Sequence, residues 1–143
     1  MIALDANLLV YAHRIDSPFY LQAKPLVARL AEGNSPWTIP WPCVHEFYSV
    51  ATNPRIFSPS STVEEALAQI EGWMESPSLR LLSETPVHWL ALRDLLSRGR
   101  VQGAMVHDAR IAALCVAHGV RELWTADRDF GRFPGLRVRN PLV

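Results

Sequence analysis

Four carboxylates stand out in this chain by their surroundings. Asp5 ends the short apolar run Ile2-Ala3-Leu4, and Glu46 interrupts the apolar segment Val44-His45-Glu46-Phe47-Tyr48. Asp108 opens the segment 108–118, and Asp127 follows Leu123-Trp124-Thr125, with Asp129 two residues further on. Carboxylates that converge on one pocket repel one another severely at low dielectric unless a cation sits among them. Hard oxygen donors select Mg²⁺ or Mn²⁺, ions that also carry phosphate substrates. Such ions activate water and stabilise the leaving oxygen of a phosphodiester, so these residue types point to metal-assisted phosphodiester chemistry. Each acid also has a plainer use. Asp5 suits a turn, Asp108 suits a helix N-cap, and Asp127 and Asp129 suit another turn. Glu46 can face solvent on a polar helix face with Pro42, Ser49 and Asn53.

The elements that must position these acids alternate between strand and helix. Ile2-Ala3-Leu4 has the pattern of a buried strand running into a loop at Asp5, with Ala6–Tyr11 beyond it. Ser17-Pro18 signals a helix start that continues through Leu21, Leu26 and Leu30 to Glu32-Gly33-Asn34, with Pro25 inside it. Trp37-Thr38-Ile39 is a second strand closed by Pro40, and Pro42 starts a helix ending before Asn53-Pro54. Thr62-Val63-Glu64-Glu65 has the form of a capping box, and its helix runs to about Trp73 or Met74. Leu79–Leu82 is a third strand, Thr85-Pro86 caps a helix stopped by Gly99, and Asp108 opens another that closes at His118-Gly119. Glu122–Thr125 and Leu136–Arg139 complete the strands. The alternation predicts one α/β domain over residues 1–143, built on a mostly parallel sheet of four to five strands. Ligands of such sheets bind beyond the carboxyl ends of the strands, where Asp5 and Asp127 fall.

Composition narrows the class. The chain has 143 residues, 49% hydrophobic and 20% charged, which excludes disorder and collagen-like repeats. No apolar run reaches the ~18–20 residues of a membrane span, and the N-terminus lacks the basic region of a signal peptide. Two cysteines, Cys43 and Cys115, supply neither a disulfide framework nor a metal motif and suit buried apolar positions. A cytoplasmic protein is expected. Fourteen basic residues balance fourteen acidic ones, which argues against a generic nucleic-acid coat. The halves differ: residues 1–90 hold five basic against nine acidic groups, and residues 91–143 hold nine against five. All basic residues but Lys24 are arginines, whose planar fork suits phosphate. Arg110 and Arg128 lie nearest the acids and are candidate substrate contacts, with an ordinary solvated face as the alternative. His107, beside Asp108, is expected to cap or pack.

The joint pattern adds a resemblance. Leu4-Asp5-Ala6-Asn7-Leu8-Leu9-Val10-Tyr11-Ala12, His45-Glu46-Phe47, Asp108–Leu114 with His118-Gly119, and Leu123–Phe130 resemble the PIN-domain family in order and spacing. The size and the ending Phe133-Pro134-Gly135-Leu136 to Asn140-Pro141-Leu142 are similar to the VapC toxins of type II toxin–antitoxin systems. About residues 53–100 carry no family signature. The resemblance implies a three-layer α/β/α fold, usually dimeric, and a Mg²⁺- or Mn²⁺-dependent endoribonuclease that cuts structured RNA such as transfer or ribosomal RNA. It implies an acidic site of Asp5, Glu46, Asp108 and Asp127. Asp5, Asp108 and Asp127 would hold metal, Glu46 would orient or deprotonate the attacking water, Asp129 would supplement the set, and Asn7 and Thr125 would orient a carboxylate or the water. A cognate VapB-like antitoxin is the implied partner.

Rival readings fare worse. Asp5-x-Asn7 lacks the second acid of a haloacid-dehalogenase-type loop, and the sole lysine, Lys24, comes too early for that fold or for a receiver domain. A PIN enzyme of RNA processing or DNA cleavage outside a toxin–antitoxin pair, and a non-catalytic PIN-like binding module, stay open as alternatives.

Overall fold

The computed structural model describes all of residues 1–143. Five strands, β1 (Ile2–Leu4), β2 (Trp37–Pro40), β3 (Leu79–Leu82), β4 (Glu122–Trp124) and β5 (Arg137–Arg139), form one sheet in the order β3-β2-β1-β4-β5. Every pairing is parallel. Helices α1 (Ala6–His13), α2 (Tyr20–Glu32), α3 (Trp41–Ala51), α4 (Val63–Met74), α5 (His88–Arg98) and α6 (Val106–Ala117) complete a three-layer α/β/α arrangement. The centre of the sheet is buried, with Ala3, Leu4, Trp37, Ile39 and Leu123 at or near zero exposure, as a sheet covered on both faces requires. Twenty-five buried residues make one continuous core.

The chain steps outward from β1 to β2 to β3, then crosses back to lay β4 on the other side of β1. The strand order therefore reverses between β1 and β4. The crevice beyond their carboxyl ends is the topological switch point, where open α/β sheets bind ligands. Leu4 pairs with Trp124 in register, and the Asp5 N–H donates to the Trp124 carbonyl at 3.0 Å. Asp5 and the segment 125–129 thus leave the sheet side by side.

Local chemistry explains most boundaries and corrects three. The Thr62 box is present in full: Thr62 Oγ accepts from the Glu65 N–H at 3.0 Å, and Glu65 Oε1 accepts from the Thr62 N–H at 2.9 Å. The two helices expected to start at Ser17-Pro18 and Thr85-Pro86 begin later, at Tyr20 and His88. Each Ser/Thr-Pro pair instead opens a four-residue turn, with Tyr20 N–H on the Ser17 carbonyl and His88 N–H on the Thr85 carbonyl. Proline suits the second position of a turn as well as the first position of a helix. The third correction is α1, which replaces the expected loop after Asp5. Its residues Ala6, Leu8, Leu9 and Val10 are all buried, so no polar face marks the helical period.

Candidate active site

Asp5 sits between β1 and α1 with extended backbone (φ −78°, ψ 159°) and caps the helix, its Oδ1 accepting the Ala6 N–H at 2.7 Å. Only 5% of the residue is exposed. Its oxygens are surrounded by donors. Thr125 Oγ donates to Oδ2 at 2.7 Å, Asn7 Nδ2 donates to the same oxygen at 3.4 Å, and the Cys43 thiol approaches Oδ1 at 3.6 Å. Thr125 Oγ in turn accepts from Asn7 Nδ2 at 3.1 Å and from the Asp127 N–H at 3.0 Å. Asn7 Oδ1 accepts from the Ala126 N–H at 3.3 Å. Asp5, Asn7 and Thr125 therefore tie the end of β1 to the turn after β4.

Asp127 caps the short 3-10 turn 128–132, its Oδ1 accepting the Asp129 N–H at 2.8 Å. The turn use foreseen for this residue is real, and it aims the carboxylate as well. Asp108 is the third residue of α6 and makes no cap, contrary to the N-cap alternative; the helix begins at Val106 behind Met105. Its carboxylate is free to join the others. Ligand oxygens of Asp108, Asp127 and Asp129 all lie within 4.8 Å of one another. Asp129, expected only to supplement the set, belongs to this trio, and Asp5, expected to hold metal, is not part of it.

Glu46 reaches the same region from α3. Pro42, Glu46 and Ser49 form one polar face, as the solvent-facing alternative supposed, and that face is the wall of a cleft. The cleft, about 430 Å³, is lined across from them by His107, Asp108, Arg110 and Ile111 of α6. His107, expected to cap or pack, is exposed, makes no capping hydrogen bond for α6 and lines this wall. Arg110 also lines it, tied to Glu84. Arg128 does not; it borders a separate depression with Thr125, Asp127 and Asn140.

Electrostatics follow from this crowding. Burial, opposed by the Thr125, Ala6 and Cys43 hydrogen bonds, raises the Asp5 carboxyl above its ordinary range. Burial together with Asp5, Asp108 and Asp127 raises Glu46. Burial together with Asp127, Asp5 and Asp129 raises Asp108. Both cysteines are buried thiols, as expected; Cys115 is pushed up to about 12 by burial and Asp5. The role of Cys43 as a donor to Asp5 has no sequence signal, since the two are 38 positions apart.

A site of this kind fits a cation. Three carboxylates meet, none of them in an ion pair with lysine or arginine, and an all-oxygen donor set matches hard divalent ions. A pH dependence follows. A carboxyl raised in the folded state binds its proton more tightly there than when unfolded, so its stabilising effect is complete at low pH and disappears as pH rises through the raised value. Asp16, Glu65 and Glu84 are held low by their hydrogen bonds and act in the opposite sense, but only as pH falls below the ordinary carboxylate range. The thermal midpoint of the protein in EDTA is therefore expected to fall as pH is raised from the ordinary carboxylate range upward. A divalent ion should raise the midpoint most at the upper end, where the acids are ionised. Scanning fluorimetry across that range checks both.

A model of the PIN domain matches residues 2–136. The chain belongs to the PIN-domain family. Among curated PIN relatives, Ribonuclease VapC31 of Mycobacterium tuberculosis is 36% identical over 143 residues, covering 99% of this chain and 100% of that one. Two solved structures share the fold. VapC20 of Mycobacterium tuberculosis, a sarcin-ricin loop cleaving toxin, superposes with a TM-score of 0.67 at 17% identity, over 96% of this chain and 99% of its own. VapBC2 of Rickettsia felis, bound to a DNA fragment from its promoter, gives 0.66 at 21% identity, over 97% and 98%. Of the acids expected from the sequence, Glu46 and Asp108 line the cleft, Asp127 borders the neighbouring depression, and Asp5 is buried behind them. No helix is long and apolar enough to cross a membrane.

Proposed function

We propose that this PIN domain, spanning residues 1–143, is a divalent-metal-dependent endoribonuclease that cuts structured RNA, transfer or ribosomal, as the toxin of a VapBC-type pair in the cytoplasm. The observation that carries this reading is the meeting of Asp108, Asp127 and Asp129 beside Asp5 and Glu46, in a chain so similar to VapC ribonucleases. A VapB-like antitoxin is the proposed protein partner, and a homodimer the proposed assembly.

Asp108, Asp127 and Asp129 would hold Mg²⁺ or Mn²⁺, which when bound supplies the positive charge that a phosphodiester needs as it gains negative charge in the transition state. The other roles fall to this chain's side chains. Asp5 fixes the turn that carries Asp127 and Asp129, through Thr125 and Asn7. Glu46, its carboxyl raised above the ordinary range by desolvation and by Asp5, Asp108 and Asp127, would orient the attacking water and accept its proton. Arg110, on the cleft wall, would meet RNA phosphate.

The test is cleavage of total cellular RNA by purified protein with Mg²⁺, with Mn²⁺ and with EDTA. Discrete fragments that need the metal are expected, and mapping their ends identifies the target. A folded, antitoxin-free protein that leaves RNA intact with both metals would remove the enzymatic reading and favour a binding module.

A further inference from the structure

The cleft between α3 and α6 contains one residue that is permanently cationic, Arg110, among linings that include Glu46, Asp108, His45 and His107. RNA entering there meets the repulsion of the acids first, so the placement of this one guanidinium matters more than its charge alone suggests. It is held from outside the site. Glu84, on the segment between β3 and α5, accepts both Nε at 2.8 Å and Nη2 at 2.6 Å on a single oxygen, Oε1. Only one edge of the guanidinium is occupied. Nη1, and the end-on edge it shares with Nη2, have no partner in the protein, and that edge makes paired hydrogen bonds to phosphate. The two side chains are 40% and 39% exposed, so water competes with the pair and little folding stability depends on it. Arg128, the other arginine near the acids, has no such holder.

We propose that Glu84 is a positioning residue for the RNA: it fixes the Arg110 side chain so that its open edge receives a backbone phosphate next to the one cleaved. This rests on the ribonuclease reading above, and it assigns a function to a carboxylate outside the acidic site. Ordering a free arginine on binding carries an entropy penalty, which Glu84 removes in advance.

The sign of one result separates this from simple electrostatics. Removing the Glu84 carboxylate makes the cleft more positive, so charge alone predicts tighter RNA binding; positioning predicts weaker. Binding of a fluorescein-labelled single-stranded RNA is measured by anisotropy in EDTA, in the Asp108→Asn background to stop turnover, over about 50–200 mM salt. Arg110→Ala is expected to weaken binding about tenfold and to lower the salt slope by about 0.7, the value for one phosphate contact on a single strand. Arg110→Lys should restore the slope without the full affinity. Glu84→Ala should weaken binding about fivefold. The exchanged pair Arg110→Glu with Glu84→Arg retains an ion pair and should bind no better than Arg110→Ala. Tighter or unchanged binding by Glu84→Ala, or wild-type affinity in the exchanged pair, would overturn the proposal. So would unchanged binding by Arg110→Ala, and if the unmodified chain still cuts RNA with Mn²⁺, the ribonuclease reading survives that failure. Loss of both binding and cleavage in the unmodified chain overturns both readings.

Discussion

Asp108→Asn is expected to reduce RNA cleavage about a hundred- to a thousandfold while raising, not lowering, the thermal midpoint of the metal-free protein. The two signs have one origin. The Asp108 carboxyl is held above its ordinary range by burial, Asp127, Asp5 and Asp129, and no hydrogen bond from the protein offsets them. Asparagine keeps the shape and one oxygen but removes the charge. In EDTA the variant loses only a repulsion. With Mn²⁺ the order reverses, because the wild type gains the binding energy of the ion and the variant, left with two of the three carboxylates, gains much less. Steady-state cleavage and paired melting curves with and without Mn²⁺ check the claim. Activity within about threefold of wild type would place the metal chemistry elsewhere.

That reversal depends on side chains that the sequence advertised unevenly. The acids are visible because a carboxylate is conspicuous beside an apolar segment: Asp5 and Asp127 follow one, Glu46 interrupts one and Asp108 opens one. The inner strands β1, β2 and β4 are legible as short apolar runs ending at proline or before acids, and β3 and β5 as shorter apolar segments broken by arginine; all five form. Helix α1 is not legible, because a helix buried nearly all round has no amphipathic period to detect. The starts of α2 and α5 are not legible, because a Ser/Thr-Pro pair does not distinguish a turn from a cap. What no local pattern carries is the long-range wiring: Thr125 to Asp5 across 120 positions, Arg110 to Glu84 across 26. Each contact is between ordinary polar residues that become partners only when the sheet order brings their segments together. Even the place of Asp129 among the acids depends on the Asp127 cap, which holds the Asp129 N–H and so sets the turn that brings the two carboxylates together.

The wiring around Thr125 yields the other large expected effect. Asp5→Asn should lower cleavage about a hundredfold or more and also destabilise the protein by about 1–3 kcal/mol, although it removes a buried charge. The reason is a count of donors. Asp5 accepts the Ala6 N–H and the Cys43 thiol on Oδ1, and Thr125 and Asn7 on Oδ2. An amide nitrogen in place of either oxygen points hydrogens at hydrogens. Thr125 cannot yield by turning its hydroxyl, because its oxygen already accepts from Asn7 and from the Asp127 N–H. Thr125→Val isolates the relay from the charge: Asp5 keeps its carboxylate, but the Asp127 N–H loses its acceptor and the turn bearing two of the three clustered acids loosens. Cleavage is then expected to fall about tenfold, with Mn²⁺ affinity falling in parallel, and Thr125→Ser to recover most of both. If Thr125→Val bound Mn²⁺ and cut RNA like the wild type while Asp5→Asn did neither, Asp5 would act through its own charge at the metal and not through the turn. The four donors already on its oxygens argue for the turn.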